Sequence, residues 1–160
     1  MVEINLSTGN RQALVAAIGE AVMRWQDATQ AYDEAVGERL ELNAAERRTL
    51  SFLFPGPQPA GAIAAAVSLT PAAVTALIDR LEARGFLKRE RSAEDRRKVM
   101  VDVTEKARAA TARYYLPLAA AGERFMRQFS EEQLAFALEF LKGATAIQQK
   151  ALDELVAGEP

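Results

Sequence analysis

The amino-acid sequence predicts a mainly α-helical fold, in which a helix-turn-helix is followed by a small two-stranded β wing and flanked by long helices. Three observations carry this prediction. A well-capped amphipathic helix begins at Thr70, an alternating apolar pattern typical of a β-strand follows it, and long amphipathic segments lie before and after this region.

The helix that begins at Thr70 is the most clearly marked element. The Thr70 hydroxyl can accept a hydrogen bond from an otherwise unpaired backbone amide, and Pro71 suits the first helical position because no amide donor is needed there. Gly85 can adopt the left-handed conformation that ends a helix. One buried face is predicted by four apolar residues at helical spacing: Val74, Leu77, Ile78 and Leu81.

A short alanine-rich helix, from about Pro59 to Val67, should precede the helix at Thr70. Two helices separated by a turn of about three residues form a helix-turn-helix. Ser68 occupies a turn position where the backbone often needs a positive φ and glycine is usual, so that a serine there costs about 1 kcal/mol.

A β hairpin is predicted after this helix. Val99, Val101 and Val103 alternate with more polar residues, as a half-buried strand requires. The segment from Phe86 to Arg91 is the expected partner strand. The charged segment from Ser92 to Arg97 is too polar to pack and should form the exposed loop of the hairpin, the wing.

Two helices should precede this region. The first is capped at residues 7–8 and should end near residues 36–37. The second begins after Asn43, whose side chain forms a reciprocal capping pair with Glu46, and residues 55–57, Pro-Gly-Pro, end it.

Two more helices should follow the wing. Thr104 can cap one that runs to about Phe129, and Ser130 with Gln133 forms a capping box for the last. The long terminal helices have more apolar surface than a winged helix can bury, and a second copy of the chain is the simplest partner. We therefore divide the chain into a winged helix-turn-helix region, residues 43–104, and a helical dimerisation region, residues 1–42 and 105–160.

Basic residues are concentrated around the wing. Residues 80–113 contain eleven basic and six acidic residues, a net charge of +5, while the whole chain of 160 residues carries −2. The remainder therefore carries −7. This segregation suggests an anionic partner, although a solvated hairpin could show the same charge run.

Composition excludes several functions. The chain has no cysteine and no histidine, which removes disulfides, zinc-thiolate sites and the commonest general base. We expect no metal, no cofactor and no enzymatic activity, although an enzyme based on carboxylates or tyrosine stays open as an alternative. No apolar run approaches the roughly 20 residues that span a bilayer, and the N-terminus lacks a signal pattern, so we expect no membrane partner and a cytoplasmic location.

Double-stranded DNA is the anionic partner that a winged helix-turn-helix is expected to bind. Alanine and threonine on the exposed face of the helix can contact thymine methyl groups, and the wing supplies basic residues. A winged-helix module that binds another protein is the alternative. The candidate DNA-binding residues are Thr70, Pro71, Ala72, Ala73, Thr75, Ala76, Arg80, Arg91, Asp95, Arg96, Arg97 and Lys98.

The segment VTALIDRLEARGFLKRERSAEDRRKVMVDVT, together with the order of elements, resembles the MarR family of bacterial transcription regulators. The resemblance implies that Asp95 orients Arg97, which enters the minor groove. A guanidinium there meets strong negative potential, whereas a plain surface ion pair would contribute only about 0 to 1 kcal/mol. The resemblance also implies a homodimer that acts as a repressor on a pseudo-palindromic operator.

The same resemblance implies that a small aromatic effector can bind between the dimerisation and DNA-binding regions. Aromatic residues at helical spacing are also ordinary core residues. The candidate pocket residues are Trp25, Tyr32, Phe52, Phe54 and Tyr114.

Overall fold

The computed structural model describes residues 8–91 and 98–158, which contain six helices and three short strands. The chain forms two compact units, residues 1–112 and 113–160, and the boundary between them falls inside the fifth helix. The elements are α1 (Thr8–Leu40), α2 (Ala44–Leu53), β1 (Gln58–Pro59), α3 (Ala60–Val67), α4 (Pro71–Ala83), β2 (Leu87–Arg91), β3 (Val99–Val103), α5 (Glu105–Met126) and α6 (Glu131–Ala157).

The core of the first unit lies between α2, α3, α4 and the sheet. The four residues predicted for the inner face of α4 are all buried, as expected for an amphipathic helix. The other large side chains of this core come from every neighbouring element: Leu50, Leu53, Ile63, Val67, Leu87, Val101 and Val103. The core confirms the predicted periodicity.

The axes of α3 and α4 are bent by 105° at the turn between them, which is the geometry of a helix-turn-helix. Residues 68–70 form this turn, as predicted. No single helix in the described part of the chain is long and apolar enough to cross a membrane, although α3 and α4 counted together would pass that test of length and composition.

Three helices of the first unit end in the same type of turn, a Schellman motif with one residue in the left-handed conformation. That residue is Glu41 after α1 (φ 52°), Ser68 after α3 (φ 54°) and Gly85 after α4 (φ 73°). The closing hydrogen bonds join Leu42 N to Gly37 O at 2.8 Å, Leu69 N to Ala64 O at 3.1 Å and Phe86 N to Leu81 O at 2.8 Å. The positive φ predicted for Ser68 is confirmed.

The helix starts agree with the capping signals. The Thr70 hydroxyl accepts a hydrogen bond from Ala73 N at 3.3 Å, with Pro71 in the first turn. Both capping boxes, at Asn43 and at Ser130, are formed. The Thr104 hydroxyl accepts from Ala107 N at 3.2 Å. The predicted cap at Ser7 lies outside the described residues.

The sheet differs from the prediction because it has three strands, in the order β1-β3-β2, rather than two. Gln58 pairs with Val101, and Pro59 pairs with Met100 at the sheet edge. A two-residue strand is too short to show an alternating pattern. A proline at the edge removes no central ladder hydrogen bond, so the Pro-rich segment is compatible with pairing.

The alternation predicted for β3 holds for two of its three valines. Val101 and Val103 are buried, whereas Val99 is 53% exposed. Val99 pairs with Arg91 at the end of the hairpin that is farther from the core.

Several helix boundaries differ from their predicted positions. Helix α1 continues to Leu40, because Gly37 is buried inside the helix instead of ending it. A Cβ on Gly37 would lie 2.7 Å from Arg47 Cδ, so this glycine permits close packing of α2 on α1. Helix α5 ends at Met126, before Phe129, and Pro59 is the N-cap of α3 rather than its first residue.

The second unit consists of the rest of α5 and all of α6. Helix α6 has no buried residue, and its Phe136 and Ile147 are 74% and 72% exposed. Apolar side chains of this size are seldom left uncovered along a whole helix.

The left-handed turn at Ser68 leads to a prediction about stability. Replacing Ser68 by glycine relieves the steric cost of a positive φ, and we expect the free energy of unfolding to rise by about 1 kcal/mol in urea denaturation at fixed protein concentration. Ser51→Gly is the matched control. Ser51 is an exposed residue in α2, so glycine there should lower stability by about 0.5 kcal/mol. A destabilising Ser68→Gly would contradict the argument.

Candidate nucleic-acid interface

The N-terminal half of α4 presents a bare face with short side chains. Pro71, Ala72, Ala73, Thr75 and Ala76 are all exposed, while the opposite face of the helix is buried in the core. Because these side chains are short, the helix backbone can approach a flat or grooved surface closely. A major groove about 12 Å wide admits a helix of this kind.

The two threonine hydroxyls on this face differ in what they can offer to a ligand. The Thr70 oxygen accepts from Ala73 N, which leaves its proton available for donation. The Thr75 hydroxyl donates its proton to Pro71 O at 3.0 Å, which leaves its oxygen as an acceptor. Thr70 therefore suits a phosphate oxygen, and Thr75 suits a base donor or, through its methyl group, thymine.

Two acidic residues of α4 are bound by one arginine from β2. Arg89 donates to Asp79 Oδ1 at 2.5 Å and also to the carboxylate of Glu82. The hydrogen bond with Asp79 is the main cause of a raised pKa for Arg89, so the guanidinium stays charged. The single positive charge of Arg89 offsets one of these two negative charges, which reduces the repulsion of a polyanion from the helix.

Arg80, a predicted DNA contact, faces α2. Its Nε lies 3.4 Å from Glu46 Oε1, and the other oxygen of Glu46 accepts from Asn43 N at 3.0 Å within the capping box. Glu46 is buried, while the Arg80 side chain remains 55% exposed. A contact between Arg80 and DNA stays a prediction.

The described basic residues of the wing fall into two groups. Lys88 forms an ion pair with Glu90 at 2.7 Å, and this hydrogen bond raises the pKa of Lys88. Arg91 and Lys98 are exposed, and within residues 8–91 and 98–158 no carboxylate lies within 4.0 Å of either. The predicted contacts Asp95, Arg96 and Arg97 lie outside the described residues.

Several basic residues in the +5 segment hold the fold together. The Arg108 guanidinium lies 3.4 Å from Asp102 Oδ1, donates to Phe54 O and lies 5.8 Å from the Phe54 ring centroid. Arg84 and Lys106 likewise donate to backbone carbonyls. The sequence analysis missed these roles because a backbone carbonyl that comes close only after folding leaves no signal in the sequence.

The structure does not bring the five predicted pocket residues into one described cavity. Trp25 lines an open cleft of about 330 Å³ with Gln26, Thr29, Gln30, Asp33 and Arg47. Phe52 and Phe54 pack against the core, Tyr32 is half-buried in α1, and Tyr114 belongs to the second unit. An effector pocket stays a prediction.

Comparison with known proteins gives relatives of one kind. A helix-turn-helix type transcriptional regulator of Bacillus subtilis, YcgE, whose function is uncharacterised, is 28% identical over 128 residues, which cover 79% of this chain and 83% of that protein.

Solved structures share the fold at lower identity. The transcriptional regulator Tm0710 of Thermotoga maritima aligns with a TM-score of 0.60 and 19% identity, covering 86% of this chain and 98% of its own. The apo form of wild-type MarR from E. coli aligns with a TM-score of 0.53 and 17% identity, covering 79% and 95%.

The sequence profile of the MarR family matches residues 55–99, from the segment before β1 to the start of β3. This stretch contains the helix-turn-helix and most of the hairpin. The matched segment, the relative and the shared fold agree: residues 55–99 match the MarR family, and the chain as a whole resembles transcription regulators with a winged helix-turn-helix fold.

Proposed function

We propose that this regulator is a homodimeric repressor that binds a pseudo-palindromic operator, with α4 in the major groove and Arg97 of the wing in the minor groove of each half-site. The observation that carries the proposal is the bare N-terminal face of α4. This face is exposed, has short side chains and lies on a helix whose two outward acids, Asp79 and Glu82, are bound by Arg89.

The exposed side chains of α4 suggest a particular way of reading DNA. None of Ala72, Ala73, Thr75 or Ala76 can form the bidentate hydrogen bonds by which arginine or asparagine distinguishes a base. Their methyl groups can contact thymine, and discrimination beyond that would come from groove shape and from the wing. Arg91 and Lys98, at the base of the wing, are suited to phosphate oxygens.

The dimer is supported by the distribution of exposed apolar residues. In the described part of the chain, every exposed large hydrophobic residue except Val99 lies in α1, α5, α6 or the turn between the last two. Covering such surfaces with a second copy related by a two-fold axis is the commonest solution in proteins. We assign residues 43–104 to DNA binding and residues 1–42 and 105–160 to dimerisation, although the first turn of α5 contributes the buried Ala107 to the DNA-binding core.

Release from DNA by a small aromatic ligand belongs to the same proposal and is supported by the resemblance and by the cleft beside Trp25. Trp25 is the single tryptophan, which makes its fluorescence a direct probe. Fluorescence that stays unchanged on titration with salicylate would count against binding of this ligand class in the cleft.

The first prediction from the proposed function tests the dimer. Sedimentation at micromolar concentration should give a dimer for the wild type, and Ile147→Glu should shift it toward a species of 17.5 kDa because a charge enters an apolar interface. Ile147 is 72% exposed within one protomer, so the substitution should leave the protomer folded. Gln148→Glu adds the same charge at the next residue and is the control. A wild type that sediments only as a monomer would refute the dimer.

The second prediction tests DNA binding. Affinity for duplex DNA should fall with salt, and Arg91→Ala or Lys98→Ala should each reduce the logarithmic slope by about 0.9 if the residue contacts one phosphate. Arg127→Ala removes an exposed charge from the region after α5 and should leave the slope unchanged. If the wild type fails to bind any duplex from a random pool at low salt, binding of a protein partner becomes the better proposal.

The third prediction concerns the wing. Arg97→Ala should weaken binding to a selected site by about 1 to 3 kcal/mol, more than Arg127→Ala.

Asp95→Ala gives the sharper result, because removing an acid should tighten DNA binding by simple electrostatics but weaken it if the acid orients Arg97. We expect weaker binding at fixed salt, with thermal stability checked for each variant. Tighter binding would show that Asp95 does not orient Arg97 and that the wing acts only as a basic patch.

A further inference from the structure

The side chain of Arg84 attaches the C-terminal end of α4 to the end of α1. Arg84 Nη1 donates to Glu41 O at 2.7 Å, and Nη2 donates to Leu40 O at 2.8 Å. These carbonyls belong to the last turn of α1 and the residue after it, where carbonyl groups have no partner within the helix. One guanidinium therefore caps α1 from a different helix.

The two carbonyl contacts are the main part of this attachment. The Glu41 carboxylate is 88% exposed and 3.9 Å from Arg84, so the ion pair contributes little. The Arg84 side chain is about two-thirds buried, and its hydrogen bonds are charge-assisted. A planar guanidinium can hold two adjacent acceptors at once, which restrains both the distance and the angle between the helices.

The same corner is also attached to the start of α5. Two cations lie close to the Phe86 ring, with Arg84 Cζ 5.2 Å and Lys106 Nζ 5.4 Å from its centroid. Lys106 Nζ donates to Arg84 O at 2.6 Å, and Thr104 Oγ1 donates to Gly85 O at 2.7 Å. The end of α4 is thus bound both to the end of α1 and to the start of α5.

A second contact lies one turn earlier on α4. Arg80 and Arg84 are four residues apart, which places them on one face of the helix. Arg80 meets the buried Glu46 at the start of α2, and Arg84 meets the end of α1. Both arginines of this face are therefore directed at the corner between α1 and α2.

We propose that Arg84 is a positioning residue, which fixes the orientation of α4 relative to α1 and so sets the spacing of DNA half-sites that the dimer accepts. The inference rests on the proposed function, in which α1 belongs to the dimerisation region and α4 enters the major groove. In a dimeric helix-turn-helix protein the two recognition helices must enter grooves about 34–36 Å apart. A loosely held α4 would tolerate other spacings.

The direction of the Arg84 donors separates this role from a phosphate contact. Each terminal nitrogen donates one of its two protons to a carbonyl of the same chain, so the guanidinium is oriented toward α1 by the fold itself. Loss of Arg84 should therefore relax the geometry of binding, with little change in the number of phosphates neutralised.

The experiment measures affinity for a selected operator and for two operators in which the half-sites are one base pair closer or farther apart. The wild type should prefer the selected spacing. Arg84→Met keeps an unbranched apolar stem but removes the donors, and we expect this preference to fall by roughly threefold to tenfold. Arg84→Lys keeps the charge but cannot hold both carbonyls, so it should restore the preference only in part.

The ratio of affinities distinguishes positioning from a general loss of stability. A less stable variant has a smaller folded fraction for every operator, which leaves the ratio unchanged, and Ser51→Gly in α2 is the control for this effect. If Arg84→Met is unfolded, Arg84→Lys is used instead, and its preference for the selected spacing should also be weaker than that of the wild type.

Three results would overturn the proposal. If the ratio stays unchanged in the folded Arg84 variants, Arg84 does not set the spacing, whereas the proposed function stands. If Arg84→Met lowers the salt slope by about one phosphate and Arg84→Lys restores it fully, Arg84 contacts DNA directly. If the wild type binds duplex DNA with no preference for spacing, the proposed dimeric operator binding fails, and this inference fails with it.

Discussion

The structure depends on the requirement that α4 bury one face completely and leave the other uncovered. Val74, Leu77, Ile78 and Leu81 are each almost fully buried. A helix turns by about 100° per residue, so burial of this stripe determines which residues point outward. The turn at Ser68 and the strand that follows Gly85 then set the two ends of the helix. The exposed surface available to DNA is a consequence of how the core is packed.

The basic residues of this protein have two separate roles. Arg84, Arg89, Lys106 and Arg108 are engaged with carboxylates, carbonyls and aromatic rings of their own chain, and they join helices to the sheet or to each other. Arg91 and Lys98 remain exposed. A count of basic residues overstates the charge that a ligand meets, because an engaged guanidinium acts largely on its neighbours within the fold. The neutralisation of Asp79 by Arg89 is as relevant to a polyanion as any exposed cation.

The apolar residues are distributed as unevenly as the charges. The first unit has a closed core, whereas α6 has no buried residue and α1 carries exposed side chains such as Leu14 and Trp25. An amphipathic helix in water gains most of its stability from packing of its apolar face. The proposed dimer supplies that packing. In the proposed dimer, α1 connects the dimer interface to α4. The contacts of Arg84 with α1 therefore affect the position of α4 as well as local stability.

Features that depend on residues close in sequence could be predicted from the sequence by itself. The caps at Asn43, Thr70 and Ser130, the positive φ of Ser68 and the buried stripe of α4 all arise within about one or two helical turns. The winged helix-turn-helix followed from the order of such signals.

Tertiary structure decided what joins distant segments. The pairing of Gln58 with Val101, the continuation of α1 past Gly37 and the capping of α1 by Arg84 each need a partner at least ten residues away. A backbone carbonyl has no side-chain identity, and a two-residue strand has no period. These contacts therefore exist only once the chain has folded. For the same reason, only the folded structure shows which arginines hold the fold together and which remain exposed to a ligand.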